Sequence, residues 1–154
     1  MAKFQSTKVF DGFSCCFRQH SATTTHCKYL HGYGVSFKVW FEGNLDYRNW
    51  VFDFGGMKRA TGTIDGMAPK EWMDYMFDHT TIIAEDDPAL GNFRILDMEG
   101  IIQLRVIPAV GAEKFAEFIY NKLNTFIQEE THNRVKVVKV EFREHNKNSA
   151  IYTD

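Results

Sequence analysis

Gly34-Val35-Ser36-Phe37-Lys38-Val39-Trp40-Phe41-Glu42 is the stretch on which the fold turns. Val35, Phe37, Val39 and Phe41 alternate with Ser36, Lys38, Trp40 and Glu42. A period of two sends successive side chains to opposite faces, so this segment reads as a half-buried strand of an antiparallel sheet. The flank before it supplies a partner. Lys3 to Gln19 carries Phe13, Cys15 and Phe17 on one face, and Asp11-Gly12 breaks its regularity as a bulge or bend does. Between the two, His20 to Leu30 is polar and threonine-rich and reads as the connecting loop.

Beyond the strand, Asn44-Leu45-Asp46 is turn-rich, and Trp50 to Phe54 reads as a short strand ending at Gly55-Gly56. A weak helical pattern starts near Met57 and is interrupted by Gly62 and Gly66. A better one opens at Pro69, whose fixed φ and missing N–H suit a first turn, and it sets Trp72, Met73, Met76 and Phe77 on one side. That helix delivers the chain to Asp78-His79. Ala84 to Gly100 holds the acidic turn Glu85-Asp86-Asp87-Pro88 and room for a short helix, and Ile101 to Ile107 follows as a strand. The clearest helix, Ala112 to Glu129, spaces Ala112, Phe115, Ala116, Ile119, Leu123, Phe126 and Ile127 along one stripe that must lie on a sheet. Arg134 to Glu144 is the last long strand, with Val138, Val140, Phe142 and Glu144 on one face, Val135 and Val137 on the other, and Ala150 to Tyr152 pairing nearby. Antiparallel strands with helices on one face make an α+β fold, and 154 residues without a linker or repeat fit one domain over 1–154.

A net charge of −2 from 18 basic and 20 acidic residues, interspersed, gives no basic face for nucleic acid. The expected ligand is therefore small. The polar start Met1-Ala2-Lys3-Phe4-Gln5-Ser6-Thr7-Lys8 and the absence of a long apolar run predict a cytoplasmic protein with no membrane span. Cys15, Cys16 and Cys27 cannot all pair, which favours free thiols in a reducing compartment.

Three strings bear on chemistry. In Cys27-Lys28-Tyr29-Leu30-His31-Gly32-Tyr33 a thiol and an imidazole meet at a strand entry, either as an activated thiolate that can act as base or nucleophile, or as a structural thiol beside a surface histidine. In Phe77-Asp78-His79 a carboxylate can fix the tautomer of an imidazole and support proton transfer, or the pair can simply face solvent at a helix end. Glu144 shares its predicted face with valines and a phenylalanine, where an unpaired carboxylate is costly. It needs an arginine or a ligand with a planar amidine edge, such as a pterin or guanine.

Taken in order, Phe13-Ser14-Cys15-Cys16-Phe17-Arg18, Cys27 to Tyr33, Asp53-Phe54, Phe77-Asp78-His79, Gly111-Ala112-Glu113 and Glu144 before Ala150-Ile151-Tyr152 resemble the 6-pyruvoyl- and 6-carboxytetrahydropterin synthase family. The resemblance runs along nearly the whole chain and is less clear between Asp86 and Val106. It implies a tunnelling fold, an antiparallel sheet with helices on its outer face that assembles into a barrel of trimers or hexamers with sites between subunits. It implies a lyase acting on 7,8-dihydroneopterin triphosphate, with Cys27 as the thiol, Asp78 and His79 as the proton relay, and Glu144, with Tyr33 and Glu113, binding the pterin substrate. Pterin cofactor synthesis and deazaguanine (queuosine) synthesis both remain open, as does a pterin- or purine-binding module without catalysis.

The resemblance also implies Zn2+ on three histidines, and here the sequence departs from it. Phe17 stands at one position and Tyr33 at another, leaving His31. A phenyl ring cannot ligate a metal, and a phenol with a pKa near ~10 is a poor zinc ligand. Two alternatives follow: a shifted zinc site of His20, His26 and His31, or hydrogen bonding by His31 and Tyr33 to a developing oxyanion in place of the metal. Arg18 and Lys28 are candidates for a triphosphate, or ordinary surface charge.

Overall fold

A computed structural model describes residues 3–59 and 61–154. The expected hairpin is β1 (Phe4–Phe17) against β2 (His31–Gly43). Its register slips between Phe10 and Phe13, and Gly12 there takes φ +83°, so Asp11-Gly12 is the bulge that the sequence predicts. The extra residue switches parity, which is why Phe10 and then Phe13, Cys15 and Phe17 are all buried.

Beyond β2 come α1 (Gly56–Arg59), α2 (Pro69–Phe77), β3 (Thr80–Ala84), α3 (Leu90–Met98), β4 (Leu104–Ile107), α4 (Ala112–Glu130), β5 (Val135–His145) and β6 (Asn148–Thr153). One sheet runs β4-β3-β1-β2-β5-β6. Its larger part, β1-β2-β5-β6, is antiparallel as expected. β3 adds to β1, and β4 to β3, in parallel, so the complete sheet is mixed. α2 and α4 cover one face: Trp72 and Phe77 of α2 meet Phe118 and Phe115 of α4, while Phe77 and Phe115 both touch Phe142 of β5.

Sequence expectations change at several places. Trp50 to Phe54 is not a strand: Asp46 closes a turn by accepting the Arg48 and Trp50 amides, and Phe52 and Phe54 both pack on Phe41. The apolar run reflects a loop laid on the core rather than ladder pairing. On β5, Val138 is an extra residue between Lys139 opposite Trp40 and Val137 opposite Phe41, so Val135 and Val137 join Val140 and Phe142 on the buried face. β3 was not foreseen. All five of its residues are buried, so it lacks the alternation that marks a half-exposed strand. The predicted strand from Ile101 shortens to Leu104–Ile107, and the weak helix near Met57 is the single turn α1, with Ala60 outside the described residues.

Candidate functional site

The loop after β1 is built rather than loose. The Gln19 N–H donates to the Cys27 carbonyl at 2.8 Å, and Thr25 Oγ1 accepts the Cys27 N–H at 3.2 Å as the cap of a short 3-10 turn, His26–Lys28. The Gln19 side chain crosses to the entry of α4, where its amide donates to the Val110 carbonyl at 3.0 Å. Gly111 there has φ +116°, and a Cβ on it would stand 2.2 Å from that amide nitrogen. Only glycine admits both the backbone conformation and the side chain. The exposed Cys27 thiol is thereby anchored beside the helix end that carries Glu113.

On the sheet, register places Phe17 opposite His31 and Cys15 opposite Tyr33, all on the helix-covered face. Phe17 stacks on Tyr33 with ring centroids 4.7 Å apart and meets the edge of Phe115 at 4.9 Å. His31 Nδ1 lies 2.7 Å from the Tyr29 carbonyl, which can only accept, so Nδ1 carries the hydrogen. Nε2 then accepts the hydrogen bond of the Tyr33 hydroxyl. Burial pushes the Tyr33 phenol up to about 12, and the nearby Glu144 carboxylate adds to it.

Glu144 sits out of ladder register between Arg143, opposite Ser149, and His145, opposite Asn148. Half-buried, it has no salt bridge to arginine or lysine among the described residues, since Arg143 turns to Glu141 and to the Asn146 carbonyl. Burial raises its carboxyl above the ordinary glutamate range and Glu113 raises it further, while His145 and His31 pull it down. These mutual influences join Cys27, His31, Tyr33, Glu113 and Glu144 in one electrostatic neighbourhood, although they come from a loop, two strands and a helix.

Asp78 and His79 form their own couple. Asp78 Oδ1 lies 3.0 Å from His79 Nδ1 as an ion pair and accepts the Ser14 amide at 3.2 Å, and the His79 ring is exposed. His79 has φ +57°, and its amide is bonded to the Ser14 carbonyl. The pair lies on the β3 side of β1, whereas His31, Tyr33 and Glu144 lie on the β2 and β5 side. His79 lines a cleft of about 380 Å3 with Cys16, Gly32, Thr81 and Gln103. Within one chain, then, the predicted site residues form two groups.

The zinc alternative fits poorly. His20 Nε2 is 3.1 Å from Asp86, the His26 ring stands edge-on to Tyr29 at 6.4 Å, and His31 is engaged at both nitrogens. Among the described residues no three His, Cys, Asp or Glu side chains gather as a metal site. The expected shifted set of His20, His26 and His31 is therefore not assembled in a single chain. Arg18 is also committed elsewhere: its guanidinium grips the buried Asp87 through two bonds of 2.8 and 2.6 Å and donates to the Lys28 carbonyl. Lys28 rests over the Tyr29 ring at 5.1 Å. Sequence reasoning missed Gln19, which has no distinguishing pattern, and a cleft of about 510 Å3 walled by Phe4, Trp50, Phe52 and Phe54 that includes Asp53. All three cysteines are free, and no helix among the described residues is long and apolar enough to cross a membrane.

Comparison with known proteins gives a consistent result. The family model for 6-pyruvoyl tetrahydropterin synthase matches residues 6–154. A 6-carboxy-5,6,7,8-tetrahydropterin synthase of Rickettsia typhi is 31% identical over 67 residues, and that match spans 43% of each chain. Among solved structures, an uncharacterized protein of Wolinella succinogenes superposes with a TM-score of 0.77 at 23% identity, over 100% of this chain and 99% of its own. The 6-pyruvoyl tetrahydropterin synthase of Caenorhabditis elegans gives 0.64 at 17% identity, covering 100% and 97%. That of Plasmodium vivax gives 0.62 at 16%, covering 97% of each. At these identities the structures speak to the fold.

Proposed function

The chain belongs to the 6-pyruvoyl tetrahydropterin synthase family, and from that premise we propose that it is a lyase acting on the side chain of 7,8-dihydroneopterin triphosphate, in the manner of a 6-carboxytetrahydropterin synthase. The observation that carries this reading is Glu144: a half-buried carboxylate with no arginine or lysine partner among the described residues, in the electrostatic neighbourhood of Tyr33 and Glu113. Two parallel hydrogen bonds from the aminopyrimidinone edge of a pterin would satisfy it as a guanidinium does. In this reading Cys27 takes a proton from the side chain, and His79, paired with the Asp78 carboxylate, accepts or returns one.

Because Asp78 and His79 lie away from Cys27 in one chain, the reading requires that a neighbouring subunit bring them to it. Support comes from the sheet. Among the described residues β1 is in register with β3 at Cys15 and Cys16, with Ser14 bonded to Asp78 and His79 beside them, and β6 forms the opposite edge, so open edge remains on both sides for side-by-side assembly into trimers or hexamers. We place the protein in the cytoplasm as a single domain with no nucleic-acid or membrane partner. No step passes through zinc, since the donor set does not fit it.

Turnover of 7,8-dihydroneopterin triphosphate, followed by release of triphosphate and acetaldehyde with and without a chelator, tests the proposal. Absence of products under both conditions overturns the enzyme reading. A second reading, a pterin- or purine-binding protein without catalysis, is favoured by the same poor fit of the metal donors. The Cys27→Ala variant separates them: lost turnover with retained ligand binding supports the lyase, and binding in a wild type that never turns over supports the module.

A further inference from the structure

We infer that this chain holds no zinc at the position the resemblance assigns to it, and that the Tyr33 hydroxyl, fixed by His31, stands there to meet an oxygen of the ligand's side chain. The part concerning the ligand rests on the pterin reading above; the part concerning the metal does not.

A zinc ion held by protein needs three lone pairs aimed at one point. Phe17 offers none, and its ring cannot swing aside because Tyr33 is stacked on one side and Phe115 meets it edge-on. His31 has one nitrogen without a hydrogen, Nε2, and that atom accepts the Tyr33 hydroxyl. The loop histidines are engaged elsewhere, His20 with Asp86 and His26 edge-on to Tyr29. Phe17, His31 and Tyr33 thus satisfy one another as a closed aromatic and hydrogen-bonded set, with no donors waiting on a cation.

The direction of the hydrogen bonds gives Tyr33 a defined role. Its proton points to His31, so the phenol oxygen keeps lone pairs to which a ligand hydroxyl can donate. Glu144 and Glu113 lie in the same electrostatic neighbourhood. A carboxylate for the ring and a phenol oxygen for the side chain recognise a reduced pterin with a hydroxylated side chain, and discriminate against one without it. Tyr33 is then a specificity-determining residue.

Zinc titration against a chromophoric chelator, with long-range 1H–15N spectra of His31, tests the metal part on the wild type. The expected result is no stoichiometric uptake, an Nδ1–H tautomer, and a His31 Nε2 signal unmoved by one equivalent of zinc. Uptake of one zinc per chain with a shift at Nε2 overturns it. The double variant Phe17→His/Tyr33→His supplies three imidazoles and is expected to take one equivalent. A folded double variant that binds no more than wild type also counts against the assignment of the position. Because histidine at buried position 17 can cost the fold, the wild-type spectrum decides independently.

For the ligand part, 7,8-dihydroneopterin and unsubstituted 7,8-dihydropterin are titrated into wild type, Tyr33→Phe and Glu144→Gln. Tyr33→Phe is expected to weaken the first about tenfold and leave the second unchanged. Glu144→Gln weakens both. Equal loss of both ligands in Tyr33→Phe overturns its role, whereas a wild type that binds neither overturns the pterin reading and leaves the zinc result standing.

Discussion

Glu144 combines partial burial, a neighbouring carboxylate and no arginine or lysine partner among the described residues, and each part has a measurable consequence. Its raised pKa means that the proton returns at a higher pH than for an ordinary glutamate, near ~4.3. If the ionised form grips the ligand, pterin affinity is level at neutral pH and declines as pH falls through that raised value. The wild-type to Glu144→Gln ratio isolates this effect from the titration of the pterin itself. At neutral pH the substitution should weaken binding by about 2 kcal/mol, the scale of a hydrogen bond to a charged group, as measured by calorimetry. The sign for stability is opposite: a carboxyl that is harder to ionise in the folded state than in the unfolded one costs stability once both are ionised. Glu144→Gln should therefore melt at a higher temperature than wild type near pH 7, and a lower melting point would argue that Glu144 is a structural ion-pair member instead.

Between elements, the candidate site depends on two cross-links that the sequence does not advertise. Arg18, at the end of β1, binds Asp87 in the turn between β3 and α3 and also the Lys28 carbonyl beneath Cys27. The hydrogen bonds from Arg18 hold the Asp87 carboxyl below its ordinary range against the opposing effect of burial, with the Ala89 amide assisting. A depressed folded pKa gives stability that is present above the unfolded value, about 3.9, and lost as pH falls toward the lower folded value. Asp87→Asn should cost about 2 kcal/mol in urea unfolding near pH 7, because it leaves the partly buried Arg18 guanidinium without its carboxylate. The difference from wild type should shrink below that range. The second link is Gln19 at Gly111. Gly111→Ala forces a side chain into a left-handed backbone and against Gln19, with an expected loss of about 2 kcal/mol. Hydrogen exchange should then quicken in residues 19–28, and unchanged exchange there would show that the loop does not depend on α4.

For the molecule as a whole, the division of the candidate site residues into two groups is the decisive feature. Cys27, His31, Tyr33, Glu113 and Glu144 share one region, while Asp78 and His79 stand across β1. If a subunit boundary unites them, Cys27→Ala and His79→Ala proteins, each inactive alone, should recover measurable turnover when refolded together, and sedimentation should show an oligomer. An oligomer without recovery would refute the shared site. Much of this was legible in sequence: the alternation of Val35 to Phe41, the bulge at Asp11-Gly12 and the stripe of α4 are short-range patterns set by backbone periodicity and by burial of one face. β3 was not, because a strand buried on both faces has no alternation, and the loop at Trp50 to Phe54 misled because rings packed on Phe41 mimic a strand. The sequence alone determined which chemical groups are available, including the loss of imidazole at positions 17 and 33. Only the tertiary structure decided that His31 is bound by Tyr33 and that Arg18 is held by Asp87, because such pairings join residues whose proximity depends on strand register and loop closure rather than on local pattern.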